Sequence, residues 1–413
     1  MNAPASRTGG PRPLEPEPTD LDGAARTVAR DFTALYGAPP EGVWAAPGRV
    51  NLIGEYTDFN EGFVMPLALP HTVVAAVRRR TDGVLRLHSA DIPGPVAELD
   101  ATALEPRSGG GWAAYPAGVL WALARAGHTA VLGGADLHLA STVPTGAGLS
   151  SSAALEVVTA VALDELHGLG LDRPALARCA QRAENDFVGV PCGIMDQMAS
   201  AVCVPGHALH LDCRDLTVRQ IPFDLTAHGL TLLVVDTRVQ HALGDGAYAE
   251  RRAGCEEGAR QLGVPHLRDL PYHALPHALA RLDDERLRRY VRHVVSDDHR
   301  VARVVALLAS GTHGDLRAIG PVLTEGHASL RDDLRISCPE LDLVVSAATA
   351  AGALGARMTG GGFGGSAVVL TQAADAERIA AAVHDAFADA AFTAPRVFGA
   401  RPSAGARRLR PAS

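Results

Sequence analysis

The run Pro144-Thr145-Gly146-Ala147-Gly148-Leu149-Ser150-Ser151-Ser152-Ala153-Ala154 is where this sequence first suggests chemistry. Glycines let a backbone close on a bulky anion, and a helix start offers unpaired N–H groups and the positive end of a dipole. The residues Gly146, Ala147, Gly148, Leu149, Ser150, Ser151 and Ser152 therefore read as a phosphate cradle, or else as a Gly-rich turn before an Ala-rich helix. The cradle is not of the Walker type, which needs a lysine before its Ser/Thr. All 38 basic residues of the chain are arginine, so any fixed side-chain cation must be a guanidinium.

Three further segments carry reactive groups. Between Pro47 and Asn60, Arg49, Glu55, Tyr56, Thr57 and Asp58 cluster among apolar residues. Carboxylates accept paired hydrogen bonds from neighbouring hydroxyls and aromatic rings cover apolar faces, so the cluster suits a polyhydroxylated ligand; it also suits a polar hairpin turn. Glu184 falls near the end of one helix, and Asp196 opens the next after Pro191-Cys192-Gly193. A helix dipole favours the ionised form of Asp196, which then takes a proton from a hydroxyl or simply caps its helix. The last segment is Gly360 to Gly365, flanked by strands rather than polar linker. Glycine there points to close backbone approach, to a ligand or to the cradle.

The elements that must hold these groups follow from periodicity. Helices are predicted over 21–36, about 115–125, from the cradle through Leu166, and about 174–187, with a charged helical stretch over 247–310. Strands are predicted within 43–69, 72–87 and 137–143, and at 230–236, 353–358 and 366–370. Residues 108–111 read as an exposed turn, His273 and His277 as surface loop, and 283–292 as a solvated face. Residues 1–20 read as a disordered tail, and the basic stretch from 402 as loose.

Bulk properties set the frame. A chain of 413 residues has room for two or three domains. With 47% hydrophobic and 20% charged residues it reads as soluble and globular. A net charge of −8 argues against nucleic-acid binding through the overall field. No apolar run approaches the roughly 18 residues of a membrane span, and residues 1–20 lack a secretion signal. Six cysteines without a C-x-x-C pair fit free thiols in a reducing cytoplasm and make a zinc site unexpected.

Taken in order, the segments resemble the galactokinase branch of the GHMP small-molecule kinases. Gly48 to Asp58 looks like the sugar signature, Pro144 to Ala154 like the ATP loop, and Cys192 to Gln197 and Met358 to Gly365 like the remaining blocks. The resemblance implies an α+β fold of two domains. These are a ribosomal protein S5 domain 2-like domain over 23–215 and a ferredoxin-like domain over 216–400, with tails at 1–22 and 401–413 and the site in the cleft between. It implies transfer of the ATP γ-phosphoryl group to the anomeric hydroxyl of α-D-galactose. Gly146 to Ser152 would wrap the ATP phosphates, and Ser152 and Glu184 would hold Mg²⁺. Asp196 would take the hydroxyl proton, with Arg49 orienting it. Glu55, Tyr56, Thr57, Asp58, Gly193 and Tyr248 would bind the sugar. Sugar and ATP would be the partners of a cytoplasmic monomer, with no nucleic acid and no membrane. A kinase for another sugar such as N-acetylgalactosamine is the alternative, as is a non-catalytic galactose sensor, whose ATP loop would be damaged. One departure stands out: the family usually carries His at the position of Tyr56 and Tyr at that of Phe59, which bears on sugar specificity.

Overall fold

The computed structural model describes residues 14–18, 20–107, 110–239, 244–309 and 316–409. The turn expected at 108–111 lies partly outside them. A six-stranded sheet organises the N-terminal domain: β1 (Gly42–Asn51), β3 (Pro66–Arg79), β4 (Val84–Ser89), β5 (Ala97–Asp100), β6 (Gly134–Ser141) and β13 (Arg407–Leu409), in the order β13-β1-β3-β6-β4-β5. Alternate residues of β1 enter different cores. Val43 and Ala45 pack under the helix Leu21–Tyr36 with Ala25, Val28 and Phe32. Trp44, Ala46 and Val50 face the main core beneath the helices Ala114–Arg125 and Ser151–His167. Both faces are covered, so β1 and β3 carry near-continuous apolar runs. The first helix spans the residues its periodicity predicts: Asp20 accepts the Gly23 N–H at 2.7 Å, and Gly37, at φ 76°, ends it.

The C-terminal domain holds β9 (Leu230–Asp236), β10 (Gly355–Thr359), β11 (Ser366–Gln372) and β12 (Arg396–Ala400), all paired antiparallel in the order β10-β11-β9-β12. Helices separate β9 from β10, and the helix Ala376–Asp389 separates β11 from β12. First and third strands in the middle, second and fourth outside, make the β-α-β-β-α-β arrangement of a ferredoxin-like domain. A third sheet, β2 (Phe63–Val64), β7 (His207–Asp212) and β8 (Val218–Pro222), supports the turn between β1 and β3.

Four expectations need correction. The stretch from 402 is not loose, because β13 pairs with β1 and puts Leu409 opposite Val43. Arg408 lies over the Trp44 ring at 5.0 Å and donates to the Glu41 carbonyl at 2.7 Å. Part of the N-terminal tail is docked too: the Glu15 N–H donates to the Val397 carbonyl at 2.9 Å, and its carboxylate pairs with Arg396 at 2.7 Å. His277 is helical, within Leu275–Ala280, because Pro276 sits in the first turn, where its missing N–H costs nothing. The helix expected over 174–187 is α-helical only over Arg173–Arg182. It then widens into a π-turn, Ala183–Val188, that carries Glu184.

Candidate active site

The pairing of β1 with β3 shifts register between Pro47 and Arg49, a bulge that re-aims the Arg49 side chain. Gly48 sits in it because a Cβ there would stand 2.6 Å from the Leu149 carbonyl oxygen. The cradle thus rests directly on the sheet. Three of its carbonyls are held by the protein: Ala147 by the Ser366 hydroxyl at 2.7 Å, Gly148 by Arg49 Nη1 at 2.7 Å, and Leu149 by the Arg49 N–H at 3.1 Å. A trans peptide points its N–H opposite its C=O, so the N–H groups of Gly148, Leu149 and Ser150 face away from those partners. Gly146, Gly148 and Ser150 all adopt positive φ, 76°, 70° and 59°. Ser150 is strained there, as residues at working sites often are.

Arg49 also closes a two-pronged ion pair on Asp196, Nε to Oδ1 at 2.8 Å and Nη2 to Oδ2 at 2.7 Å. The Ser150 hydroxyl donates to the same carboxylate. Asp196 lies in the first turn of the helix Met195–Val202, whose start has no side-chain cap. Capping is therefore not its role. Its carboxylate is spent on Arg49 and Ser150 and stays about a quarter exposed at 26%.

Beside Asp196 opens a cavity of about 120 Å³ bordered by Arg49, Glu55, Tyr56, Asp58, Gly193 and Tyr248. Five of the six residues expected to bind sugar meet there. Thr57 does not. Its hydroxyl lies 2.8 Å from the Gly54 carbonyl and 2.7 Å from that of Phe63, so it shapes the loop instead. Gly193 is forced by its neighbour, since a Cβ would fall 1.7 Å from Asp58 Oδ2. Burial, reinforced by the Asp196 charge, pushes the Asp58 carboxyl up to about 6. Glu55 is buried outright; burial lifts it to about 7 even though Arg357 Nη2 touches Oε2 at 2.6 Å and the Gly360 N–H touches Oε1 at 3.2 Å. Tyr248 borders the cavity rather than packing on a helix face, its ring 5.0 Å from Tyr56 and 5.6 Å from Phe59.

Behind the cradle Glu184 is held by Gln197 Nε2 at 2.7 Å, and the same amide reaches Glu156 at 3.1 Å. Burial raises both carboxyls above the usual range, and the Asp196 charge adds to the rise at Glu184. Glu156 Oε1 is buried without a hydrogen-bond partner. Acidic oxygens crowded without a neighbouring guanidinium suit a divalent cation. Among the described residues no group of three His, Cys, Asp or Glu could hold one. On the far side of Ser151 and Ser152, Ile92, Trp112, Tyr115, Leu139 and Leu155 line an apolar cavity of about 290 Å³, with Asp91 at its edge. A flat aromatic base fits such walls.

Three family models match this chain: the galactokinase galactose-binding signature over residues 30–79, the GHMP kinases N terminal domain over 114–203, and GHMP kinases C terminal over 304–389. A galactokinase of Streptomyces coelicolor is 67% identical over 389 residues, covering 94% of this chain and 99% of that protein. The chain belongs to the galactokinase family. A Mycobacterium tuberculosis galactokinase is 43% identical over 89% of this chain and 99% of its own length. The crystal structure of Lactococcus lactis galactokinase complexed with galactose superposes with a TM-score of 0.89 at 31% identity, covering 94% of this chain and all of that one. A Methanococcus jannaschii mevalonate kinase, at 17% identity and TM-score 0.60, shares the fold.

Within this galactokinase frame the Tyr56 departure acquires a geometry. Tyr56, at φ 66°, donates its phenol proton to the Gly361 carbonyl at 2.7 Å. Tyr56 and Gly361 both border the cavity, so the phenol proton is already taken within its wall. Glu156, Arg357 and the aromatic wall of Trp112 and Tyr115 were not singled out from sequence. Glu156 had a signal: it is the one charge in the apolar run from Ala153 to Leu163.

Proposed function

We propose that the chain transfers the γ-phosphoryl group of ATP to the anomeric hydroxyl of α-D-galactose, giving α-D-galactose 1-phosphate and ADP. The observation that carries this reading is the Asp196 carboxylate at the edge of the small polar cavity, pinned by Ser150 of the cradle and by Arg49, which also grips the Gly148 carbonyl. A sugar hydroxyl in that cavity reaches Asp196, and a phosphate on the cradle faces the same carboxylate.

In the reaction the hydroxyl oxygen bonds to the γ-phosphorus as the bond from that phosphorus to its bridging oxygen breaks. The hydroxyl proton passes to Asp196. Arg49 keeps Asp196 aimed and, through the Gly148 carbonyl, ties it to the cradle. The N–H groups of Gly148, Leu149 and Ser150 bind phosphate oxygens, and the apolar cavity takes the adenine. Ser152 and Glu184 would hold Mg²⁺, which when bound neutralises charge between the β- and γ-phosphates. No helix among the described residues is long and apolar enough to cross a membrane. The same reading has the protein working as a cytoplasmic monomer, its six cysteines unpaired.

The test is ADP release with a panel of sugars. Galactose should be consumed with ATP, and Asp196→Ala should lose at least about 100-fold in kcat, the usual scale of a positioned base. ATP turnover with galactose that survives intact in that variant would remove Asp196 from the reaction.

A further inference from the structure

Arg357 is fully buried on β10 of the C-terminal domain. Its partners are both carboxylates. Nη2 meets Glu55 Oε2 at 2.6 Å and lies 3.5 Å from Asp297 Oδ2. Nε and Nη1 make no hydrogen bond among the described residues, so this guanidinium is not spent on tying up backbone. Asp297 has its own support, from Arg300 at 3.2 Å and the Gly54 N–H at 3.1 Å. Among the described residues the Glu55 carboxylate accepts hydrogen bonds only from Arg357 and the Gly360 N–H. A buried carboxylate stripped of its cation takes up a proton, and then it no longer accepts hydrogen bonds on both oxygens.

We propose that Arg357 is a positioning residue for the sugar site, holding Glu55 ionised so that both its oxygens accept hydroxyl protons from the sugar. The inference rests on the reading that Glu55 binds galactose. It makes the sugar site a joint product of both domains, since Glu55 belongs to the N-terminal domain and Arg357 to the C-terminal one.

Electrostatics around Glu55 give the test its direction. Arg357 faces it from β10, Arg49 from β1, and His293 and Asp297 from the helix Glu285–Ala309. Of these, Arg357 opposes the burial penalty most strongly, leaving the Glu55 carboxyl at about 7. Galactose affinity, measured by calorimetry without nucleotide, should therefore rise with pH through a midpoint near 7 in the intact protein, and that limb should vanish in Glu55→Gln.

In Arg357→Met the limb should move at least one unit alkaline and the galactose KM at pH 7 should rise about tenfold, with the KM for ATP unchanged. Arg357→Lys, which keeps the charge, should leave the midpoint in place and raise KM only a few-fold. It also carries the test should the Met variant not fold. A purely structural arginine would lower thermal stability without moving the midpoint, and an unmoved midpoint in Arg357→Met overturns the proposal. A galactose KM in Arg357→Lys more than about tenfold above that of the intact protein overturns it as well. Unchanged galactose affinity in Glu55→Gln sinks the underlying reading of Glu55 instead, so the two failures are told apart.

Discussion

A Cβ placed on Gly360 would stand 2.8 Å from the carbonyl oxygen of Gly148, so the glycine run of the C-terminal domain meets the phosphate cradle backbone to backbone. Gly360 also holds φ at 84°, where a side chain is strained whatever the space. Gly360→Ala should cost about 1–3 kcal/mol of stability and displace the cradle peptide that Arg49 grips. The KM for ATP is expected to rise more than that for galactose. Unfolding midpoints and paired KM values check it, and a variant with wild-type ATP affinity would show that the two runs do not depend on each other.

The wall between Asp58 and Gly193 makes a complementary prediction for the sugar. With a Cβ position 1.7 Å from Asp58 Oδ2, Gly193→Ala must push the carboxylate out of place. Galactose KM should rise at least about tenfold, the scale of one charged hydrogen bond lost, while the KM for ATP holds. Equal losses for both substrates would mean that the whole turn, rather than Asp58, has moved.

Asp58 should also reveal a conflict between stability and binding. Its carboxyl stands at about 6 in the folded chain against an ordinary value of 3.8, so folding favours the protonated form. The stability this contributes is full below pH 3.8 and is lost as pH rises through about 6. Asp58→Asn should therefore unfold at a temperature roughly 1–3 °C higher than the parent above pH 6, with the gap closing toward pH 4. The same variant should bind galactose poorly at every pH. A lower melting temperature at pH 7 would contradict the burial argument.

Much of this site was legible in the chain because backbone demands are local. Gly48, Gly193 and Gly360 each mark a place where another backbone or carboxylate comes too close for a Cβ. The glycine-serine run, the carboxylate loop and Asp196 each suggested a chemistry beside a plain turn or cap, and only their order along the chain pointed to a kinase. What stayed hidden depends on chain folding back over long separations. Arg357 reaches Glu55 across 302 residues, a separation over which no periodicity carries information, and the Arg49–Asp196 pairing across 147 was expected only through the family resemblance. The tail strand β13 was hidden for another reason. Its basic stretch reads as loose, but the Arg408 side chain lies across Trp44, and only the unpaired edge of β1 explains that placement.

Tyr56 offers the sharpest test of how this chain departs from its family. A histidine at that position presents a ring nitrogen to its surroundings, whereas the Tyr56 phenol gives its only proton to the Gly361 carbonyl at 2.7 Å. Phenylalanine would keep the ring against Phe59 and Tyr248, 5.8 and 5.0 Å away, and lose only that bond. Tyr56→Phe should thus cost about 1 kcal/mol of stability and change the galactose KM by less than about fivefold. Tyr56→His should shift selectivity among galactose analogues more than Tyr56→Phe does, because it alone brings a polar ring atom to the cavity. Kinetics on galactose and its monodeoxy analogues decide the matter. If removing the hydroxyl raised the galactose KM tenfold or more, the phenol would have to leave Gly361 and bind sugar when the cavity fills.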